Sequence, residues 1–117
     1  MTEEHPDART RRILTERGLP PGLLPPGIVE GEIGDDGRFS VRLSAQVVRK
    51  HGGYKVRYGP TVSGVVSQGR VRELDGVAAK QVMWFPVHSI AAEGDGLVFT
   101  VGPGAKRTLP RSEFPWR

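Results

Sequence analysis

The chain has 117 residues, a length that fits one domain. It contains no cysteine, which excludes disulfides, thiol catalysis and thiolate-bound metals. The formal net charge of +4 favours an anionic partner, and the hydrophobic share of 37% suffices for one modest core.

Residues 1 to 18, MTEEHPDARTRRILTERG, carry charges throughout. We predict a flexible segment over residues 1 to 6 and a short helix over residues 7 to 17, with Asp7 as its cap and Gly18 as its left-handed stop. The segment lacks the apolar run of a signal peptide, and no stretch approaches the ~20 apolar residues of a membrane span. We therefore expect a cytoplasmic protein with no transmembrane segment.

The next segment, residues 19 to 28, combines four prolines with three leucines. It could be a linker, a polyproline ligand for another protein, or a built part of the fold. Proline ends the helix and holds the chain extended, which leaves the leucines free to dock on a core. Because polyproline ligands usually lie in polar surroundings, we favour the structural interpretation and predict burial of Leu23 and Leu24.

From residue 37 onward the hydrophobic period is two, which is typical of half-buried strands. In GRFSVRLS, Phe39, Val41 and Leu43 alternate with polar residues, and YKVRY repeats the pattern. Glycine-rich turn signals such as GDDG, HGG and EGDG recur about every ten residues, as in sandwiches and barrels. The pattern predicts an all-β fold, a coiled, barrel-like antiparallel sheet with one short N-terminal helix, in a single domain over residues 7 to 117.

Three specific stretches follow one another along the chain: LPPGLLP, SG followed by GRVRELDGV, and MWFPVHSI. In this order they resemble a plant family catalogued as domain of unknown function 538, and the resemblance runs from about Leu14 to Phe114. It implies a coiled all-β sheet with the helix packed alongside, in a stress-related protein without an established activity. Many members have a cysteine where this chain reads AQV after its FSV strand, and a secretory signal ahead of the domain. Both departures argue against a redox role and against secretion here.

Aromatic side chains at inward positions are candidates for the wall of an apolar cavity. The alternative is that these residues belong to an ordinary hydrophobic core. The resemblance favours a cavity, because the fold of the family has been likened to lipid-binding tubular domains. We therefore predict a non-enzymatic binding protein for a lipid or another apolar or amphipathic small molecule, with no cofactor. The candidate lining residues are Phe39, Tyr54, Tyr58, Trp84 and Phe99.

A long basic stretch from Gly37 to Arg72 contains no acid. Exposed bases keep sheets soluble and protect their edges, but eight of them exceed that need. We expect an anionic membrane surface as a partner, with nucleic acid as the weaker alternative. The candidate contact residues, placed on one face by strand alternation, are Arg38, Arg42, Lys55 and Arg57.

Catalytic motifs are weak in this sequence. His51 begins an HGG turn like that of esterases, but the Gly-x-Ser-x-Gly elbow is missing. The alternative function is therefore a weak ester hydrolase that uses His51 or His88 with Ser63 or Ser89. The three histidines are far apart in sequence, so we predict no metal site and no catalytic residue.

Overall fold

The computed structural model describes residues 4–80 and 82–114. Residues 1–3 of the predicted flexible segment, together with Gln81 and residues 115–117, lie outside the described residues. The described part contains one α-helix, eight strands and two short 3₁₀ turns. They are α1 (Pro6–Glu16), a 3₁₀ turn (Pro21–Leu23), β1 (Ile28–Ile33), β2 (Arg38–Leu43), β3 (Val47–His51), β4 (Tyr54–Ser67), β5 (Arg70–Lys80), β6 (Trp84–Glu93), β7 (Gly96–Val101), β8 (Ala105–Pro110) and a second 3₁₀ turn (Arg111–Glu113).

All eight strands belong to one antiparallel sheet in the order β1-β2-β4-β5-β6-β7-β8, with β3 also paired to β4. β4 is long enough to serve two partners, since its first half pairs with β3 and its second half with β2. The predicted all-β antiparallel fold with one N-terminal helix is thus confirmed. Within the described ranges no pairing joins β1 to β8, so the sheet is not closed into a barrel.

Glycine permits the close approach of β4 and β5 where their register shifts. Gly76 has a φ of +92°, and a Cβ built on it would lie 2.1 Å from the Thr61 carbonyl oxygen. The regular pairing is interrupted in the same place, between Tyr58 and Ser63 of β4. A residue without a Cβ is required here, so this glycine lets the two long strands bend together.

The carboxylate of Asp7, which was expected to cap α1, instead ties the helix to the start of β1. The capping residue is His5, whose Nδ1 accepts a hydrogen bond from the Asp7 backbone N–H at 3.1 Å. The prediction of Asp7 as cap is wrong, because its carboxylate accepts from the backbone N–H groups of Gly27 and Ile28 at 3.2 and 2.9 Å. Gly18, with a φ of +73°, provides the predicted left-handed stop.

The core lies on one face of the sheet, beneath α1 and the proline-rich segment. Leu23 and Leu24 of that segment are buried, and Pro25 is among the most buried side chains. The Tyr58 hydroxyl, from β4, donates a hydrogen bond to the Leu23 carbonyl at 3.0 Å. The segment is therefore packed and bonded as part of the domain.

Within residues 4–80 and 82–114, no helix has the length and apolarity that a membrane crossing requires.

Candidate functional site

A cavity of about 120 Å³ lies between α1 and the inner face of the sheet. Strand alternation turns every second side chain of the central strands toward it, and the amphipathic helix closes it from above. Its wall is almost wholly aliphatic and aromatic, as apolar ligands require. The wall residues include Ile13, Leu14, Leu23, Leu24, Val41, Val56, Val66, Val71, Leu74, Val77 and Ile90.

Polar residues occur only at one margin of the cavity. Glu4 and Glu32, both exposed, and the partly exposed Arg9 and Thr10 border it there, where α1 lies beside β1. The Arg9 guanidinium donates to the Gly31 carbonyl at 3.3 Å and so ties the helix to that strand. This margin is where the cavity meets solvent, and it could hold the polar end of an amphipathic molecule.

The predicted aromatic residues divide into two groups. Phe39, Tyr58 and Phe99 border the cavity. Tyr54 and Trp84 are not among its lining residues, although they were proposed to line it. Tyr54 pairs with the last residue of β3 at the end of the β3–β4 hairpin, and the Trp84 ring lies beneath the Arg57 guanidinium at 4.5 Å. Trp84 pairs with Lys80, which pairs with Lys55, so its ring lies on the outer face of the sheet and its prediction as an inward residue is wrong.

The Tyr58 hydroxyl, which borders the cavity, is satisfied by a hydrogen bond within the protein. The buried Tyr58 hydroxyl donates to the Leu23 carbonyl. The Nε2 atom of His51 lies 3.4 Å from the Tyr58 hydroxyl oxygen. Burial raises the pKa of Tyr58, which keeps its hydroxyl neutral. A neutral, bonded hydroxyl supports orientation of a ligand rather than proton transfer.

His51 is only 1% exposed, and its Nδ1 lies 2.7 Å from the Glu113 carbonyl oxygen. Desolvation lowers the pKa of this ring, which favours its neutral form. His88 is exposed, and its Nε2 contacts the Gly102 carbonyl at 2.8 Å. A general base must reach its nucleophile at about 2.6–3.2 Å.

In the described ranges, neither histidine has a serine among its hydrogen-bond partners, and the geometry assembles no Ser–His pair from Ser63 or Ser89. Within those ranges, no group of three or more His, Cys, Asp or Glu side chains is placed to hold a metal ion.

The four predicted basic residues do not form one uncompensated patch. Arg38 lies 3.7 Å from Asp36 and 3.8 Å from Glu73, and Arg42 Nε donates to Glu30 at 2.9 Å. Acids from β1, from β5 and from the β1–β2 turn therefore lie beside the bases at this end of the sheet.

Lys55 and Arg57 lie on the other half of β4, facing away from the core. Lys50 and Lys80 stand in register with Lys55 on the two neighbouring strands. Lys80 was not among the predicted contact residues, because it lies on β5 and only the β4–β5 register brings it beside Lys55. A charge count along each strand could not have found it.

Residues 10–115 match the model of one protein family, described as protein of unknown function, DUF538. Neither a curated protein nor a solved structure matches the chain. The matched residues run from the middle of α1 past the last 3₁₀ turn, so they include the whole sheet and the cavity wall below the helix. The chain belongs to the DUF538 family of proteins of unknown function.

Proposed function

We propose that this protein is a non-enzymatic binding protein for a small apolar or amphipathic molecule held in the cavity beneath α1. The observation that carries the proposal is the cavity itself, bordered by Phe39, Tyr58 and Phe99 and by aliphatic side chains of five strands and the helix. The hydroxyl of Tyr58 is already bonded, so burying an apolar ligand beside it does not leave this hydroxyl unpaired.

The volume limits the size of the ligand. Pockets for drug-sized molecules measure about 300–1,000 Å³, whereas an engineered apolar cavity of about 150 Å³ binds benzene. A cavity of about 120 Å³ therefore fits one small ring or the end of an acyl chain. A complete lipid would require α1 to move outward. Binding of a whole lipid, a stress-related role and a cytoplasmic location stay predictions from sequence and resemblance.

The ester-hydrolase alternative has weaker support. Catalysis by His51 would need its Nε2 or Nδ1 free for a nucleophile, but both nitrogens face protein groups within 3.4 Å. In contrast, the apolar cavity can bind a ligand by burying the ligand's apolar surface, which requires no catalytic group.

The test is a titration of the protein with toluene, followed by amide chemical shifts in two-dimensional NMR. We expect shifts that saturate and that concentrate on β4, β5 and α1. Val77→Phe should abolish them, because Val77 lines the cavity and the larger ring fills it. Val98→Phe is the matched control, since Val98 is half-buried on β7 and is not a lining residue.

Circular dichroism shows whether both variants fold, and native mass spectrometry of freshly purified wild-type protein shows any co-purified molecule. Saturable shifts that persist in a folded Val77→Phe variant would place the binding elsewhere and overturn the proposal. An absence of saturable shifts with toluene, and of any co-purified molecule, would overturn it as well.

A further inference from the structure

The hairpin that joins β5 to β6 exposes large apolar side chains, Val82 and Met83 in its turn and Phe85 on the face of β6 opposite to Trp84. Val82 is 84% exposed, Met83 63% and Phe85 42%. Single exposed hydrophobic residues are ordinary, but a contiguous group at the end of a hairpin marks a contact surface. None of the three lines the cavity, so the proposed ligand does not account for them.

A row of lysines crosses the sheet beside this hairpin. Lys50 stands opposite Lys55, Lys55 opposite Lys80, and Lys80 opposite Trp84, on four neighbouring strands. Directly opposed residues of antiparallel strands share a face, with Cβ atoms about 4.5–5.5 Å apart. Like charges at such positions destabilise a sheet. The arrangement therefore costs stability in the free protein and would be relieved by an anionic partner.

This row lacks the acids that neutralise Arg38, Arg42 and Arg72 elsewhere on the sheet. Arg38 and Arg42 have carboxylate partners, whereas no ion pair in the described part of the chain involves Lys50, Lys55 or Lys80. Uncompensated charge thus lies on the part of the sheet that carries the apolar hairpin. Positive charge and exposed apolar surface coincide.

Trp84 connects the two features. Its ring is partly exposed, with the Arg57 guanidinium 4.5 Å and the Lys80 ammonium 5.7 Å from its centroid. Tryptophan with neighbouring lysine and arginine is typical of the boundary between lipid headgroups and acyl chains, where one part of the side chain is apolar and the other meets water.

We propose that this surface, consisting of the hairpin residues Val82 and Met83 with Trp84 and the bases Lys50, Lys55, Arg57 and Lys80, docks on an anionic phospholipid bilayer. The hairpin enters the headgroup region, Trp84 lies at its boundary, and the bases contact lipid phosphates and carboxylates. The proposal does not depend on a ligand in the cavity, because the two sites share no residue.

A lipid surface fits these observations better than nucleic acid or a protein. Nucleic acid would contact the basic side chains through its phosphates, but its phosphate backbone offers no apolar surface for Val82 and Met83. A stable protein interface buries about 1,200–2,000 Å² in total, more than one hairpin offers, whereas a bilayer needs a few inserted side chains and a basic cluster. The exposed apolar residues and the charges then have a single partner.

The experiment is co-sedimentation with vesicles of phosphatidylcholine alone and of phosphatidylcholine with about 30% phosphatidylserine, a composition that gives a negative surface potential. We expect binding to the anionic vesicles that weakens as salt increases, because screening shortens the reach of the charges. In a Trp116→Phe background, the fluorescence of Trp84 should shift to shorter wavelength on binding.

Two variants test the two parts of the surface. Lys55→Glu with Lys80→Glu should lower the affinity about tenfold or more, as expected when several phosphate-facing charges are reversed. Met83→Ser should lower it and abolish the fluorescence shift. Arg38→Glu with Arg42→Glu is the matched control on the ion-paired half of the sheet and should change the affinity by less than about twofold. Circular dichroism of each variant shows that the fold is retained.

Equal sedimentation with neutral and anionic vesicles, or none with either, would overturn the proposal. So would an equal loss of binding in the control variant. Tight binding to a short DNA duplex that Met83→Ser leaves unchanged would assign the bases to nucleic acid instead. Self-association that Met83→Ser abolishes would make the hairpin a contact between copies of this chain and would equally overturn membrane docking.

Discussion

The imidazole of His51 and the backbone of Glu113 are joined by a hydrogen bond of 2.7 Å between Nδ1 and the carbonyl oxygen. Since a carbonyl only accepts, Nδ1 carries the proton. The Gly52 N–H donates to the Glu113 carboxylate at 3.0 Å, and the ring of His51 stacks on Phe114 at 4.3 Å between centroids. These contacts hold the C-terminal 3₁₀ turn on the β3–β4 hairpin, although 62 positions separate the two residues.

The first prediction concerns pH. Desolvation lowers the pKa of His51 in the folded protein below its ordinary value of 6.5, so the folded state prefers the neutral ring and the unfolded chain binds the proton more readily. The stability that His51 contributes is therefore present above pH 6.5 and is lost as the pH falls below it. The fall in Tm between pH 7.5 and 5.5 should be smaller for His51→Gln than for the wild type. An unchanged pH dependence in His51→Gln would contradict the prediction.

The second prediction concerns the proline-rich segment. Leu24 is 8% exposed and lines the cavity, so Leu24→Ala removes buried apolar surface and should lower the free energy of unfolding by about 2–5 kcal/mol. Pro26 in the same segment is exposed, and Pro26→Ala should change stability by about 1 kcal/mol or less. Urea denaturation measures both. Equal midpoints for the two variants would mean that the segment contributes little to the core.

The third prediction concerns the attachment of α1. Asp7→Ala removes the acceptor of the Gly27 and Ile28 N–H groups and should cost about 1–3 kcal/mol, because hydrogen bonds to charged groups are stronger than average. The loss should be local, so hydrogen exchange of α1 amides should speed up more than that of β5 amides. Glu16→Ala, which breaks only an exposed ion pair with Arg12, should change little. Unchanged protection of α1 in Asp7→Ala would show that other contacts hold the helix.

The fourth prediction compares two glycines that both have positive φ. Gly94→Ala meets no neighbouring atom within 4 Å, so only backbone strain of about 1–2 kcal/mol is expected. Gly76→Ala adds a collision of 2.1 Å with the Thr61 carbonyl oxygen, and β4 and β5 must separate to relieve it. It should cost at least twice as much, or prevent folding, in thermal unfolding followed by circular dichroism. Similar Tm values for the two variants would contradict the close approach of the strands.

Local rules predicted much of the fold from the sequence. Alternation placed Phe39 and Val41 inward and their arginine neighbours outward, because the period of a strand is a property of its own backbone. Gly18 ends the helix for a similarly local reason, since only glycine adopts a positive φ without cost. The leucines of the proline-rich segment were predicted to be buried from composition alone, and they are.

The tertiary structure decided everything that depends on which strands are neighbours. Asp7 has the residue type of a cap, but the chain brings Gly27 and Ile28 within its reach, and its carboxylate bonds there instead. Likewise, Glu30 neutralises Arg42 across β1 and β2, whereas Lys80 adds a like charge beside Lys55 across β4 and β5. The sequence by itself determined which side chains of one strand share a face, because that follows from the local backbone. Only the long-range register determined which charges meet, because pairing between distant strands is set by the packing of the whole sheet.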